Sequence, residues 1–208
     1  GKCSLREAIL NGEDKADGRV ITKCAAGNPA GADTIVLPPN GLFPVTAPYG
    51  YSYFQNTGLP PITSDVTLSG NRSIIYRPPG AQTFNLLIVG ENGRLTLQWT
   101  SIQGGESRNN SGGAVFAAGD LIIADSHFRS NRGGAISGSG DHFTIQRSVI
   151  EDNEITVGGV IRSAADHFVL KDSLITGNRS ISQASGGVAI ISGAAEITST
   201  TFSSNISK

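Results

Sequence analysis

The sequence predicts an all-β chain, a right-handed parallel β-helix with a short N-terminal capping helix, and three observations carry that prediction. A matching pattern recurs in segments that begin at Gly93, Gly119, Asp141, Asp166 and Gly193, each about one solenoid turn after the last. Within these segments apolar residues fall in two columns two positions apart: Leu95, Leu121, Phe143, Phe168, Ala195, and Leu97, Ile123, Ile145, Leu170, Ile197. This is the alternation of a strand with one buried face. Composition agrees. Hydrophobic residues make up 38% of the chain, charged residues 16%, and glycine contributes 27 of 208 residues, a mixture unsuited to a helical bundle.

The first element is the capping helix. Ser4 stands at an N-cap with Glu7 three residues later, Leu5, Ala8 and Ile9 make one apolar face, and Gly12 can end the helix. Such a helix would cover the exposed core and strand edges at one end of a solenoid. Asp33–Leu37 reads as the first coil strand, and the stretch from Pro38 to Pro61 as an irregular excursion holding Phe43, Tyr49, Tyr51, Tyr53 and Phe54. Residues 1–62 are therefore assigned to an N-terminal cap and 63–208 to the coils.

In each coil a second strand carries a large apolar residue: Ile102, Phe128, Ile150, Ile175, Phe202. Just before it comes Thr100, Ser126, Ser148, Ser173 or Thr200, and just after it Asn131, Asn153, Asn178 or Asn205, with Gly105 in the first coil. Identical polar residues at one corner predict hydrogen-bonded ladders with rungs about 4.8 Å apart. A third strand starts at a glycine pair: Gly112-Gly113, Gly133-Gly134, Gly158-Gly159, Gly186-Gly187, where a sharp turn favours positive φ. The connection from the Asn corner to this pair varies in length, which marks that edge for recognition. A β-sandwich would lack column identity, and a leucine-rich repeat would show a denser leucine frame.

The net charge of −1 offers no field for nucleic acid or an anionic membrane surface. No apolar run approaches a membrane span and no signal peptide is visible, and the absence of methionine suggests a processed or trimmed chain. Cys3 and Cys24 are the only cysteines. A disulfide between them is expected, contributing roughly 3 kcal/mol by restricting the unfolded chain, and it points to an oxidising compartment.

Cys3-Ser4-Leu5-Arg6-Glu7-Ala8-Ile9, Asp33–Leu37, Leu59–Asp65 and Leu95-Thr96-Leu97 leading to Gly104-Gly105 resemble the N-terminal region of CSLREA-domain bacterial surface proteins. Phe128–Asn131, Phe202–Asn205 and Gly133–Ile136 resemble repeats of chlamydial polymorphic outer membrane proteins. The resemblance covers nearly the whole chain. It implies a secreted parallel β-helical passenger or surface protein, in several cases adhesive, and no catalytic residues. Two departures stand out: only Gly1 and Lys2 precede the first motif, and the chain stops at Lys208 just after an Asn corner. Either a fragment or ends completed by another chain would account for both.

Many parallel β-helices degrade polysaccharides, and that chemistry has definite residue requirements. Hydrolysis needs convergent carboxylates, and lyase chemistry needs an acidic calcium site with a basic residue. Asp125 and Asp172 share a column with Arg147 and Ser199, which reads as a charge-compensated solvent face. His142 and His167 share another, following Asp141 and Asp166, with Asp120 a coil earlier; an exposed ladder is expected there rather than a metal or acid/base patch. His127 is expected to pack locally. Tyr49, Tyr51, Tyr53 and Phe54 offer sugar stacking or packing on the solenoid flank, and packing is expected. No phosphate loop, nucleophile elbow or zinc spacing occurs, and no cofactor is expected. The function expected is a noncatalytic extracellular or cell-surface structural or adhesive module, engaging other surface proteins, glycans or copies of itself but not nucleic acid. Rival readings are a filament subunit stacking through open coil ends and a polysaccharide-active lyase or hydrolase.

Overall fold

The computed structural model describes residues 3–13, 24–28, 31–181 and 186–207. They form a parallel β-solenoid of about five turns with one short N-terminal helix, Leu5–Glu13. The predicted columns are its hydrogen-bonded registers. Leu95 pairs with Leu121, Leu121 with Phe143, Phe143 with Phe168 and Phe168 with Ala195; Leu97, Ile123, Ile145, Leu170 and Ile197 pair likewise. Ile102, Phe128, Ile150, Ile175 and Phe202 form the third apolar column. Between the first and last coils these side chains are buried, and truncating one such as Phe143 to alanine should cost roughly 3–5 kcal/mol.

The long sheet begins earlier than the repeat suggests and crosses the expected cap boundary at 62. Asp65–Tyr76 pairs with Arg94–Gln103, and its other edge takes both Asp33–Val36 and Leu42–Pro44. The excursion from Pro38 is thus partly regular, with Phe43 stacked on Ile75. Extra residues between Ser69 and Ser73 shift the register and hide the alignment from sequence comparison. Gly70 is required inside that bulge, because a Cβ there would lie 2.7 Å from the Trp99 carbonyl oxygen.

Each coil bends at two corners built on one device. The first corner residue is left-handed in every repeat: Trp99 (φ 48°), Asp125 (50°), Arg147 (45°), Asp172 (50°) and Ser199 (48°). For a residue with a side chain this costs about 1–2 kcal/mol. The hydroxyl of the next residue clamps the bend. Ser126 Oγ donates to the Ala124 carbonyl at 2.8 Å and accepts the Thr100 N–H at 3.3 Å; Ser148 and Ser173 repeat the pattern one coil on. The second corner uses Gly104, Ser130, Asp152, Gly177 and Ser204, all at positive φ, and asparagine follows in the last four.

The asparagine ladder is fully satisfied. Asn153 Oδ1 accepts from Asn131 N–H and Asn131 Nδ2, both at 2.9 Å, while its own Nδ2 donates to Phe128 O and Asn178 Oδ1, both at 3.0 Å. Asn178 and Asn205 continue it, and Gly105 N–H bonds Asn131 Oδ1 at the other end. Asn131 and Asn153 are wholly buried.

The glycine pairs lead into a five-stranded sheet in which Leu87, Val115, Ile136, Ile161 and Ala189 stack. Gly112, Gly133, Gly134 and Gly158 have positive φ, as the sharp turn requires. A short sheet not visible in the sequence, Glu154–Ile155, Arg179–Ser180 and Ile206–Ser207, follows the asparagine corner.

At the N-terminal end the capping box forms as the sequence predicts: Ser4 N–H bonds Glu7 Oε2 at 2.8 Å, and Glu7 N–H bonds Ser4 Oγ at 3.3 Å. Leu5 and Ile9 are buried in the core. The helix continues through Gly12 to Glu13, whose carboxylate accepts the Thr63 N–H at 2.7 Å and the Ser64 hydroxyl at 3.1 Å. Cys3 and Cys24 are disulfide-bonded, tying the start of the helix to residue 24. The expected polar loop between them lies largely outside the described residues. In the last described coil the columns keep register, but Ile197, Phe202 and Ile206 are 44%, 44% and 63% exposed, since no described strand lies on them.

Two stability predictions follow from these ladders. Asn153→Ala should lower unfolding free energy by about 2–4 kcal/mol, because it strands the Asn131 donors and the Phe128 carbonyl in the core. Asn205→Ala, at the exposed rung, should cost less than half as much in the same denaturant titration. Asp172→Val should cost about 1–2 kcal/mol against Asp172→Gly, since a β-branched residue is disfavoured in the left-handed region. Equal midpoints for those two variants would contradict the corner assignment.

Candidate ligand-binding flank

The most irregular part of the chain projects from the most regular. Gly50–Ser52 and Gln55–Thr57 form an antiparallel hairpin, with Tyr53 and Phe54 as its two-residue turn. Both turn residues have positive φ, 49° and 62°. A right-handed strand twist favours that conformation in two-residue hairpins, but the usual occupants are asparagine, aspartate and glycine. Two consecutive aromatics there are strained and need support from outside the turn.

That support is visible. The Asn109 side-chain amide donates to the Phe54 carbonyl at 3.1 Å. The buried Gln55 Oε1 accepts from the Ser111 hydroxyl at 3.0 Å and the Ser107 hydroxyl at 3.3 Å. The Tyr53 ring lies 5.8 Å from the Phe116 ring, and its hydroxyl accepts the Glu91 N–H at 3.0 Å. The hairpin is bolted to the flank through Tyr53, Gln55 and Asn109.

Packing, expected for all four aromatics, holds for Tyr53 alone. Tyr49 is 44% exposed, Tyr51 70% and Phe54 84%. The reason is geometric: the left-handed turn commits Tyr53 to the flank and sends Phe54 outward. Beside Tyr51 and Phe54 runs a groove of about 150 Å³ whose wall is polar, formed by Asn56, Thr83, Glu106 and Arg108. Arg77 holds Glu106 in place with a 2.6 Å ion pair and spends its other donors on the Gly104 and Ala81 carbonyls.

The second sequence candidate is an exposed ladder. His142 and His167 pair in register, with ring centroids 5.4 Å apart and planes 17° from parallel. Both are exposed, and among the described residues no three His, Cys, Asp or Glu side chains converge as metal ligands. His127 stands apart from them, with Nε2 3.0 Å from Glu151 Oε1.

A third feature is only half visible in the sequence, where Asp120, Asp141 and His142 fall together but Asp65 and Glu91 do not. Asp65, Glu91, Arg94, Asp120, Asp141 and His142 line an open depression of about 590 Å³ at the corner where the long sheet begins. Asp65, Arg94 and Asp120 occupy one register, so the two aspartate positions stand two rungs apart, roughly 10 Å along the stack, with Arg94 on the rung between them. Arg94 lies 3.6 Å from Asp120, and Asp120 also accepts the His142 backbone N–H at 2.9 Å. The available signal was the column Asp65, Arg94, Asp120, which becomes readable once Asp65–Tyr76 is aligned as a coil.

Elsewhere charges compensate along columns. Arg147 binds Asp125 through two hydrogen bonds of 2.8 and 2.7 Å, and this guanidinium holds the Asp125 carboxyl below the usual carboxylate range. Glu106, Arg132, Glu154 and Arg179 alternate in sign along the short sheet and its bridges, with Arg132 2.8 Å from Glu154. Among the described residues no helix is long and apolar enough to cross a membrane.

No family model matches this chain, and neither the curated proteins nor the solved structures contain a significant match to it.

Proposed function

We propose that this chain is a noncatalytic structural and adhesive β-helix module of a secreted or cell-surface protein. The observation that carries the reading is the anchored hairpin. A solenoid able to bury its aromatics instead holds Tyr51 and Phe54 in water on a strained turn, secured from below by Gln55, Asn109 and Tyr53. Strain kept in place by surrounding structure is a mark of a recognition element. The Cys3–Cys24 disulfide supports an oxidising compartment, and the Cys3–Ile9 motif resembles those of bacterial surface proteins. Partners of the module are other surface proteins and glycans.

The corner depression favours a second reading, a polysaccharide-active enzyme. Asp65 and Asp120 stand two rungs apart in one column, a backbone spacing of roughly 10 Å from which two carboxyl groups could reach opposite sides of a sugar. Against it, Arg94 occupies the rung between them, and Asp120 is already engaged by both Arg94 and a backbone N–H.

Two experiments separate these readings. Beads coated with the intact chain should adhere to some members of a panel of cell surfaces and matrix proteins above albumin-coated controls; uniform background adhesion would sink the adhesive reading. Incubation with neutral and acidic polysaccharides should release neither reducing ends nor unsaturated products. Product formed by the wild type and lost in Asp120→Asn would establish the enzyme instead.

A further inference from the structure

We propose that the groove beside the hairpin is a carbohydrate-binding site for a neutral oligosaccharide, in which Tyr51 and Phe54 form the stacking platform. The proposal rests on the adhesive reading above and names its ligand. Three features of the groove carry it.

The first is amphipathy on a small scale. One side is aromatic ring and the other is hydroxyl, amide, carboxylate and guanidinium, from Thr83, Asn56, Glu106 and Arg108. A sugar ring has that same division, a face of C–H groups and a rim of hydroxyls that both donate and accept. A protein partner anchored by a hot spot would need a deep apolar pocket, and this groove is shallow, about 150 Å³, with room for little more than one ring. The second is charge. The wall carries one carboxylate, already paired with Arg77, and one guanidinium, so a single exposed charge remains, too little to select a charged polymer over a neutral one.

The third is preorganisation. Weak stacking ligands bind usefully only where ordering costs have been met beforehand. Gln55 and Asn109 fix the hairpin to the solenoid, and the turn at Tyr53 and Phe54 sets the outward ring without depending on a ligand. If the turn served stability alone, glycine would serve it better at Phe54, because glycine adopts positive φ without a Cβ penalty.

The test turns on that conflict. Isothermal titration of the full chain with cellohexaose, chitohexaose and mannohexaose, with hexagalacturonate as the acidic probe, should give millimolar or tighter binding for at least one neutral probe. Tyr51→Ala and Phe54→Gly should each weaken it about tenfold. Phe54→Gly should at the same time raise the melting temperature by about 2–4 °C, since relief of the turn outweighs loss of an exposed ring. A more stable variant that binds less well is a result a structural role cannot produce. The proposal is overturned if no neutral probe binds, if only hexagalacturonate binds, or if Phe54→Gly binds as tightly as the wild type. Bead adhesion that persists alongside any of those results removes the sugar and keeps the adhesive module; loss of both removes the reading beneath it.

Discussion

Each side chain in an interior coil of the solenoid must tolerate a near copy of its own position about 4.8 Å above and below it, and that constraint governs what each column can hold. Apolar columns satisfy it by dispersion alone, as Leu97, Ile123, Ile145 and Leu170 do. A buried polar column can satisfy it only with a group that donates in one direction and accepts in the other. The asparagine amide does both, and in Asn131, Asn153 and Asn178 it has donors left for the carbonyls of the preceding coil. Aspartate in the same column would bring only acceptors, and the buried ladder would become a stack of repelling charges.

The same constraint explains the surface. Like charges in one column repel from rung to rung, and two charged columns alternate in sign instead: Asp65, Arg94, Asp120 along one edge, and Glu106, Arg132, Glu154, Arg179 along another; the exposed Asp141 and Asp166 are an exception. Each exposed pair contributes little on its own. Their joint effect is to let the solenoid carry charged residues without its own field pushing the coils apart. The exposed His142 and His167 continue the Asp65, Arg94, Asp120 column with rings stacked face to face.

What could be read from the sequence follows from how strictly a position is fixed. Columns holding one residue type, the Asn and Ser/Thr corners and the paired glycines, were legible because burial and hydrogen bonding leave few alternatives there. The left-handed first corner was not, because Trp99, Asp125, Arg147, Asp172 and Ser199 share a backbone angle and no side-chain property. The coil at Asp65–Tyr76 was hidden by its bulge. The hairpin was hidden because Tyr53-Phe54 is not a turn dipeptide; its conformation is imposed by Ser107, Asn109, Ser111 and Phe116, which lie elsewhere in the sequence. The corner depression was only half legible for a related reason: Asp120, Asp141 and His142 align in the repeats, whereas Asp65 joins them only once Asp65–Tyr76 is aligned as a coil.

Regularity and irregularity are therefore not competing features of this chain. Hydrogen-bonded ladders make the cost of unfolding one coil depend on its neighbours, so the stack can carry a locally unfavourable turn that an isolated hairpin could not. The anchors of that turn come from coil segments rather than from the hairpin: Ser107, Asn109 and Ser111 from the connection after Gly105, and Phe116 from the glycine-led sheet. Gly105 is itself fixed by the first hydrogen bond of the asparagine ladder, to Asn131. The buried amide stack and the exposed aromatic turn are thus joined by a few residues of chain, and it is the rigidity of the first that allows the second to stand in solvent.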